Sequence, residues 1–374
     1  MSVSGDSVSD ASLNKLGEQD LAIPDAPLPV SVLTGFLGSG KTTVLRHLLE
    51  QPDMANVAVI VNEFGEIGLD HMLVENAKED TVLLSSGCLC CTVRGDLVET
   101  MRKLFKQRVR REVPPFDRLV IETTGLADPA PILQTLMNDP FLVERFRLDG
   151  VIATVDAANG GNTLDNHFES VKQAAVADRL LLTKTDVADA ATAEVLMLRL
   201  KELNPAAPIL PVAQGAVEPS ALFNAGLYDP TTKSLDVQRW LKTEAYDTPD
   251  AAQHHEHNHG GGHHHDVNRH DASIRAFCIT RDEPLNWDRL NSWVEMLIML
   301  YGGNLLRIKG ILNIEDSDGP IVIHGVQHMF HPPMQLESWP DDDHRSRLVF
   351  ITRDLEREMF EHTLEAFAGG SDLT

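Results

Sequence analysis

The sequence predicts an α/β fold: a parallel sheet with helices on both faces, followed by a smaller α+β domain. Three observations carry this expectation. From residue 28 to about 225, short β-branched runs alternate with helical patterns, as parallel strands joined by crossover helices require. Each run ends in a polar loop, and such sheets collect their ligands at the carboxyl ends of their strands. Beyond residue 270 the pattern changes to a strand, a helix, three more strands and a closing helix.

The predicted strands of the first part are "LPVSVLTG", "VAVIVNEFG", "DRLVIETTG", "DGVIATVDA", "DRLLLTKTD" and "APILPVA", with helices over 40–50, 94–111, 163–177 and 189–203. Residues 1–27 are polar and acid-rich and read as a disordered leader. The first domain then runs over 28–225. Residues 226–270 break the alternation; "HHEHNHGGGHHHDVNRH" makes this a linker by composition. In the second domain, 271–374, "SIRAFCIT", "NLLRIKGILNI", "PIVIHGV" and "SRLVFITR" read as strands, and 286–301 and 354–367 as helices.

Bulk properties narrow the function. A net charge of −24 over 374 residues excludes general nucleic-acid binding, which needs a basic face. A nucleotide is still allowed, because backbone N–H groups can hold phosphate locally. No apolar run approaches the roughly 18 residues of a membrane span. The N-terminus has no apolar signal core, so the protein is expected in the cytoplasm, away from membranes. Its thiols should then stay reduced.

"GFLGSGKTT" follows one strand and opens a helix, matching the phosphate-loop pattern. Gly35, Gly38, Ser39, Gly40, Lys41, Thr42 and Thr43 form it. Glycines let the backbone close on an anion, Lys41 neutralises β- and γ-phosphates, and the Thr42 hydroxyl serves Mg²⁺. "LVIETTGLADP" puts Glu122 at the end of a later strand, where phosphate-loop enzymes keep an acid for Mg²⁺ or the attacking water. Gly125 is placed to offer its N–H to a γ-phosphate. "LLLTKTD" supplies Lys184, whose stem would cover a base, and Asp186, whose carboxylate would accept two hydrogen bonds from guanine. GTP is therefore the favoured nucleotide, with GDP as product. Thr183 stands where GTPases often have Asn.

Three of the four cysteines, Cys88, Cys90 and Cys91, lie in "GCLCC". Thiolates suit Zn²⁺ and also bind Co²⁺ or Ni²⁺, but not Mg²⁺. One C-x-C-C offers at most three ligands, so a tetrahedral ion needs another from water, substrate, Glu or His. "NEFGE" offers Glu63 and Glu66.

Together these segments resemble the CobW-like family of P-loop GTPases, which is itself similar to the nickel-insertion GTPases of hydrogenase and urease. "GFLGSGKTT", "VNEFGEIGLD", "GCLCC", "VIETTGLADP", "LLTKTD", "LLRIKGIL" and "IVIHGVQ" carry the resemblance from about 28 to 366. It implies a GTP-hydrolysing metallochaperone that loads zinc at Cys88, Cys90 and Cys91 and passes it to an acceptor metalloprotein. It implies Lys41, Thr42 and Glu122 as phosphate and Mg²⁺ residues, and Lys184 and Asp186 as base readers. It also puts the Glu63 and Glu66 loop between nucleotide and thiols. Related GTPases often form homodimers. Cobalt handling in cobalamin synthesis is the alternative within the family. A phosphotransferase is the alternative enzyme class, opposed by "TKTD" and by the lack of a phosphoacceptor site. A passive metal buffer is a third reading.

Other candidates have plainer expectations. The eight histidines between His254 and His270 are a candidate weak metal buffer. Cys278 reads as a core thiol. His71, His167, His324 and His328 read as surface or satisfied histidines.

Overall fold

The structure is a computed structural model that describes residues 23–61, 82–85, 93–223 and 274–368. Its first sheet has seven parallel strands in the order β3-β2-β4-β1-β5-β6-β7. These are β1 (Leu28–Gly35), β2 (Val57–Val61), β3 (Val82–Ser85), β4 (Arg118–Glu122), β5 (Phe146–Asp156), β6 (Arg179–Thr183) and β7 (Ile209–Pro211). Strands β1, β2, β4, β5 and β6 are buried almost throughout because both faces are covered, with every residue of β6 and all but one of β5 buried, whereas the edge strand β7 is partly exposed. Successive side chains nevertheless take opposite sides. Val30 and Val32 face one core, while Leu33 between them and Thr34 joins another with Val120.

Helices complete the layers. On one face lie α1 (Lys41–Leu49) and α8 (Pro219–Leu222), and on the other α2 (Val93–Val109), α3 (Ala130–Asn138), α4 (Pro140–Arg145), α5 (Gly160–Asn166), α6 (Phe168–Val176) and α7 (Ala190–Leu203). Val44, Leu45 and Leu48 of α1 pack in one core cluster, and Leu97, Met101 and Leu104 of α2 in another. The predicted helix over 163–177 is two helices, broken at His167, whose backbone is extended at φ −135. Strand β3 and helices α3 and α4 have no counterpart in the expected elements. Helix α4 is short but firmly started, since the Asp139 carboxylate accepts from the N–H groups of Phe141 and Leu142 before a proline at the first helical position.

The second domain is a six-stranded antiparallel sheet with two helices. Its strands are β8 (Ile274–Arg281), β9 (Leu305–Leu312), β10 (Ile321–Val326), β11 (Met329–Phe330), β12 (Met334–Gln335) and β13 (Ser346–Arg353), and its helices α9 (Trp287–Tyr301) and α10 (Arg357–Ala368). Period-two alternation divides its residues between two neighbours. Phe277, Ile279, Leu348 and Phe350 pack with Trp293 of α9 and Phe360 of α10. Cys278 and Val349 point the other way, into the core that holds Val30 and Ile121 of the first sheet. Cys278 is thus the expected core thiol, 2% exposed.

One polar cluster is sealed between the two domains. Asp178, immediately before β6, accepts from Arg307 at 2.5 Å and Lys309 at 2.7 Å, both on β9, and from the Val151 N–H at 2.9 Å. Burial alone would raise the Asp178 pKa, but the two cations and these hydrogen bonds outweigh it and hold it at about 2. Among the described residues no helix is long and apolar enough to cross a membrane.

Candidate nucleotide site

The phosphate loop forms where β1 ends and α1 begins. Gly35 has φ +139, and a Cβ there would lie 2.2 Å from Thr154 Oγ1, so both conformation and space demand glycine. Gly40 caps α1 at φ 91, and α1 starts with no side-chain cap and no acidic residue in its first turn. Its first N–H groups are therefore available to an anion. Lys41 is 5% exposed, and its ammonium donates to the Gly35 carbonyl at 3.0 Å and the Phe36 carbonyl at 3.2 Å. It is curled over its own loop, where phosphate would lie. Ser39 holds the loop from inside, donating to Phe36 O at 2.7 Å and sharing a 2.6 Å hydrogen bond with Thr154. Gly38 (φ +69) and Thr43 lie at the exposed edge.

Next to the loop, Thr42 Oγ1 donates to Glu122 Oε1 at 2.8 Å, although the two are 80 residues apart. The register of β1 against β4 brings this about by setting Leu33 beside Glu122. Glu122 is 0% exposed. A hydroxyl and a carboxylate in contact are hard oxygen donors of the kind Mg²⁺ takes, and so fit that ion. Gly125 follows on the same loop, so tight on the phosphate loop that a Cβ there would lie 2.7 Å from Leu37 Cα.

Lys184 and Asp186 follow β6. Lys184 takes a left-handed φ of 56 and donates to Asp156, at the end of β5, at 2.7 Å. Burial would raise the Asp156 pKa, but hydrogen bonds from Lys184, the Asn159 side chain and the Ala158 and Asn159 N–H groups bring it below the usual carboxylate range. Asp186 is exposed, free to meet a ligand. Thr183, in place of the Asn of many GTPases, donates to Ser39 O at 2.7 Å. Its hydroxyl thereby ties the base-side strand to the phosphate loop. A cavity of about 290 Å³ runs from Phe36, Gly38 and Ser39 to Asp156, Asn159 and Lys184, with Gln173 in its wall. A larger one, about 1110 Å³, lies at the opposite strand ends, lined by Leu28, Val57, Arg118 and Phe146. Ligands of open α/β sheets bind at the carboxyl ends, so the smaller cavity marks the site.

Cys88, Cys90, Cys91, Glu63, Glu66, His71 and the histidines of 254–270 lie outside the described residues. The other histidines are placed. His167 is exposed and stacks on Phe36 with ring centroids 4.4 Å apart. His328 is exposed, and His324 is 3% exposed beside the interdomain cluster.

The CobW/HypB/UreG nucleotide-binding domain matches residues 29–211, and the cobalamin synthesis protein cobW C-terminal domain matches residues 274–368. Over 343 residues the chain is 34% identical to the zinc chaperone YjiA of Escherichia coli, covering 92% of this chain and 98% of that one. This chain belongs to the CobW family. A second relative of this CobW-family protein is the zinc-regulated GTPase metalloprotein activator 1 of Schizosaccharomyces pombe, 30% identical over 88% of this chain and 84% of that one. The crystal structure of Zn(II)-bound YjiA GTPase from E. coli superposes with a TM-score of 0.66 at 30% identity, covering 91% of this chain and 99% of that one.

Several residues of this candidate site were not singled out by sequence reasoning: Thr154, Asp156, Asn159 and Gln173. Asp156 had a readable signal, an acid closing the apolar run "DGVIATVDA". Thr154 and Gln173 had none, since their partners are 115 and 48 residues away.

Proposed function

We propose that this protein is a GTP-hydrolysing zinc chaperone that carries the metal at its C-x-C-C thiols and passes it to an acceptor protein. One observation carries the reading: a phosphate loop with the Thr42–Glu122 pair at its edge shares a chain with "GCLCC", in a protein akin to a zinc chaperone over nearly its whole length. GTP would lie along the cavity between the phosphate loop and Lys184. Lys41 would leave the Gly35 and Phe36 carbonyls for the β- and γ-phosphates, and Asp156 would keep the Lys184 stem against the base. Asp186 would accept from guanine. Thr42 and Glu122 would hold Mg²⁺, which when bound screens charge on the phosphate oxygens. Glu122 would also orient the attacking water. The proposed domain limits are those of the sequence, with the nucleotide domain over 28–225, the linker over 226–270 and the C-terminal domain over 271–374.

Zinc is the cargo, held by Cys88, Cys90 and Cys91 with Glu63 or Glu66 as a further ligand. Structural zinc sites bind with an apparent ~10–16 kcal/mol, whereas allosteric couplings are typically ~1–3 kcal/mol. Nucleotide turnover therefore biases the metal site without ejecting the ion into water, and release requires an acceptor with its own ligands.

The test is GTP turnover and zinc stoichiometry, measured on the parent and on a variant with Cys88, Cys90 and Cys91 all changed to Ala. The parent should hydrolyse GTP and retain tight zinc; the variant should lose the zinc and still bind GDP. A parent that holds zinc with no GTP turnover would be a passive buffer and would sink the reading.

A further inference from the structure

The loop after Glu122 is held by a side chain from the wall of the nucleotide cavity. Gln173, on α6, is 1% exposed, and its side-chain amide donates to the Gly125 carbonyl at 3.2 Å and the Ala127 carbonyl at 3.0 Å. Two carbonyls can only accept, so the amide nitrogen must face them. The Gln173 Oε1 atom is buried without a hydrogen-bond partner among the described residues. A buried polar atom left unsatisfied destabilises the fold, and a leucine here would avoid that cost. The amide is therefore retained for the two bonds it makes to this loop.

The remaining anchors converge on the same few residues. The Thr123 N–H donates to Leu33 O at 2.9 Å. Gly125 presses on the Leu37 backbone. Asp128 accepts from Lys172, the neighbour of Gln173, at 2.7 Å, and from Gln327 of the second domain at 3.2 Å. Helix α6 also touches that domain at both ends. Arg353 lies 4.6 Å over the Phe168 ring, and Arg307 donates to the Val176 carbonyl at 2.5 Å.

We propose that Gln173 is a positioning residue for GTP hydrolysis, fixing the loop 123–128 so that the Gly125 N–H meets the γ-phosphate while Glu122, just before the loop, serves Mg²⁺ and the attacking water. The C-terminal domain reinforces the same loop through Gln327 and Asp128. This rests on the GTPase reading above. The device acts on the part of the nucleotide that distinguishes GTP from GDP. Although Gln173 stands in the cavity wall, its two hydrogen bonds go to the loop after Glu122, and so its loss should weaken a γ-phosphate-bearing nucleotide more than GDP.

The experiment compares the parent protein with Gln173→Met and Gln327→Ala. It measures kcat and KM for GTP, and affinity for GDP and for a non-hydrolysable GTP analogue. In Gln173→Met, kcat should fall about tenfold, a loss of about 1.4 kcal/mol, and analogue affinity should fall by several-fold. GDP affinity should fall by a clearly smaller factor than analogue affinity, so that the analogue-to-GDP ratio drops. Gln327→Ala, on a half-buried turn of the second domain, should shift the analogue-to-GDP ratio in the same direction by a smaller factor. If Gln173→Met weakens GDP and analogue equally, Gln173 is merely structural and the proposal fails. Should that variant not fold, an unchanged ratio in Gln327→Ala overturns the proposal on its own. A parent that turns over no GTP would overturn the GTPase reading instead, which the parent's rate separates from either result.

Discussion

The Asp178 carboxylate meets the Arg307 guanidinium at 2.5 Å, with 2% and 4% of the two side chains exposed, and so joins the foot of β6 to the C-terminal sheet. Breaking a buried pair leaves an uncompensated charge, which costs about 3–5 kcal/mol. Asp178→Asn should lower stability by that order in urea unfolding. The pH dependence has a definite sign. With its pKa depressed to about 2, against about 3.9 in an unfolded chain, Asp178 stabilises the fold above about pH 4 and loses that contribution as pH falls toward 2. Asp178→Asn should therefore flatten the stability profile in that window.

His324, packed in the same interface, should act at a higher pH. Burial, then the charges of Lys309 and Arg307, push its pKa well below the usual value; Asp178 opposes them and His331 adds to them. An unfolded histidine takes up a proton near pH 6.5 while the folded one does not. Stability should therefore decline as pH falls below about 6.5. His324→Gln should remove one proton's worth of slope between pH 6.5 and 5, read by denaturant titration at several pH values.

Glu122→Gln keeps the shape of the Thr42 contact and removes the charge. GTP turnover should fall by about 10²–10³-fold, as for other lost groups that stabilise developing charge. GDP binding measured without Mg²⁺ should be retained. Steady-state kinetics beside a binding titration would check this, and a kcat within threefold of the parent would remove Glu122 from the reaction.

Asp156→Asn should have the opposite kinetic pattern. The change weakens the hold on Lys184, a contact made equally in ground and transition states, so KM should rise with kcat unchanged. Affinity for GTP and GDP should drop together by about fivefold, near 1 kcal/mol. A selective loss of kcat would reject this role.

Much of the site was legible because its chemistry is local. Gly35 to Thr43 are contiguous, and the loop geometry there follows from residues that touch their own neighbours. The strands were legible because apolar runs such as "RLLLT" are buried on both faces and have few other ways to satisfy their backbone. The break at His167 was not, since the apolar pattern runs through it and only the extended backbone there separates α5 from α6. Strand β3 was hidden for another reason: four residues are too short for a period to emerge.

Sequence alone carried the phosphate loop, the glycine-lysine-threonine order, the C-x-C-C run and the parallel α/β class, because each depends on spacing along one stretch of chain. Tertiary packing was needed to place Glu122 on Thr42, Asp156 on Lys184 and Gln173 on Gly125. These contacts join residues that are 80, 28 and 48 positions apart. Strand register and helix docking bring them together, and neither leaves a mark in local composition. The same holds for Asp178. Its neighbourhood reads as an ordinary strand start, and only the closure of the second domain makes it a buried partner for Arg307 and Lys309.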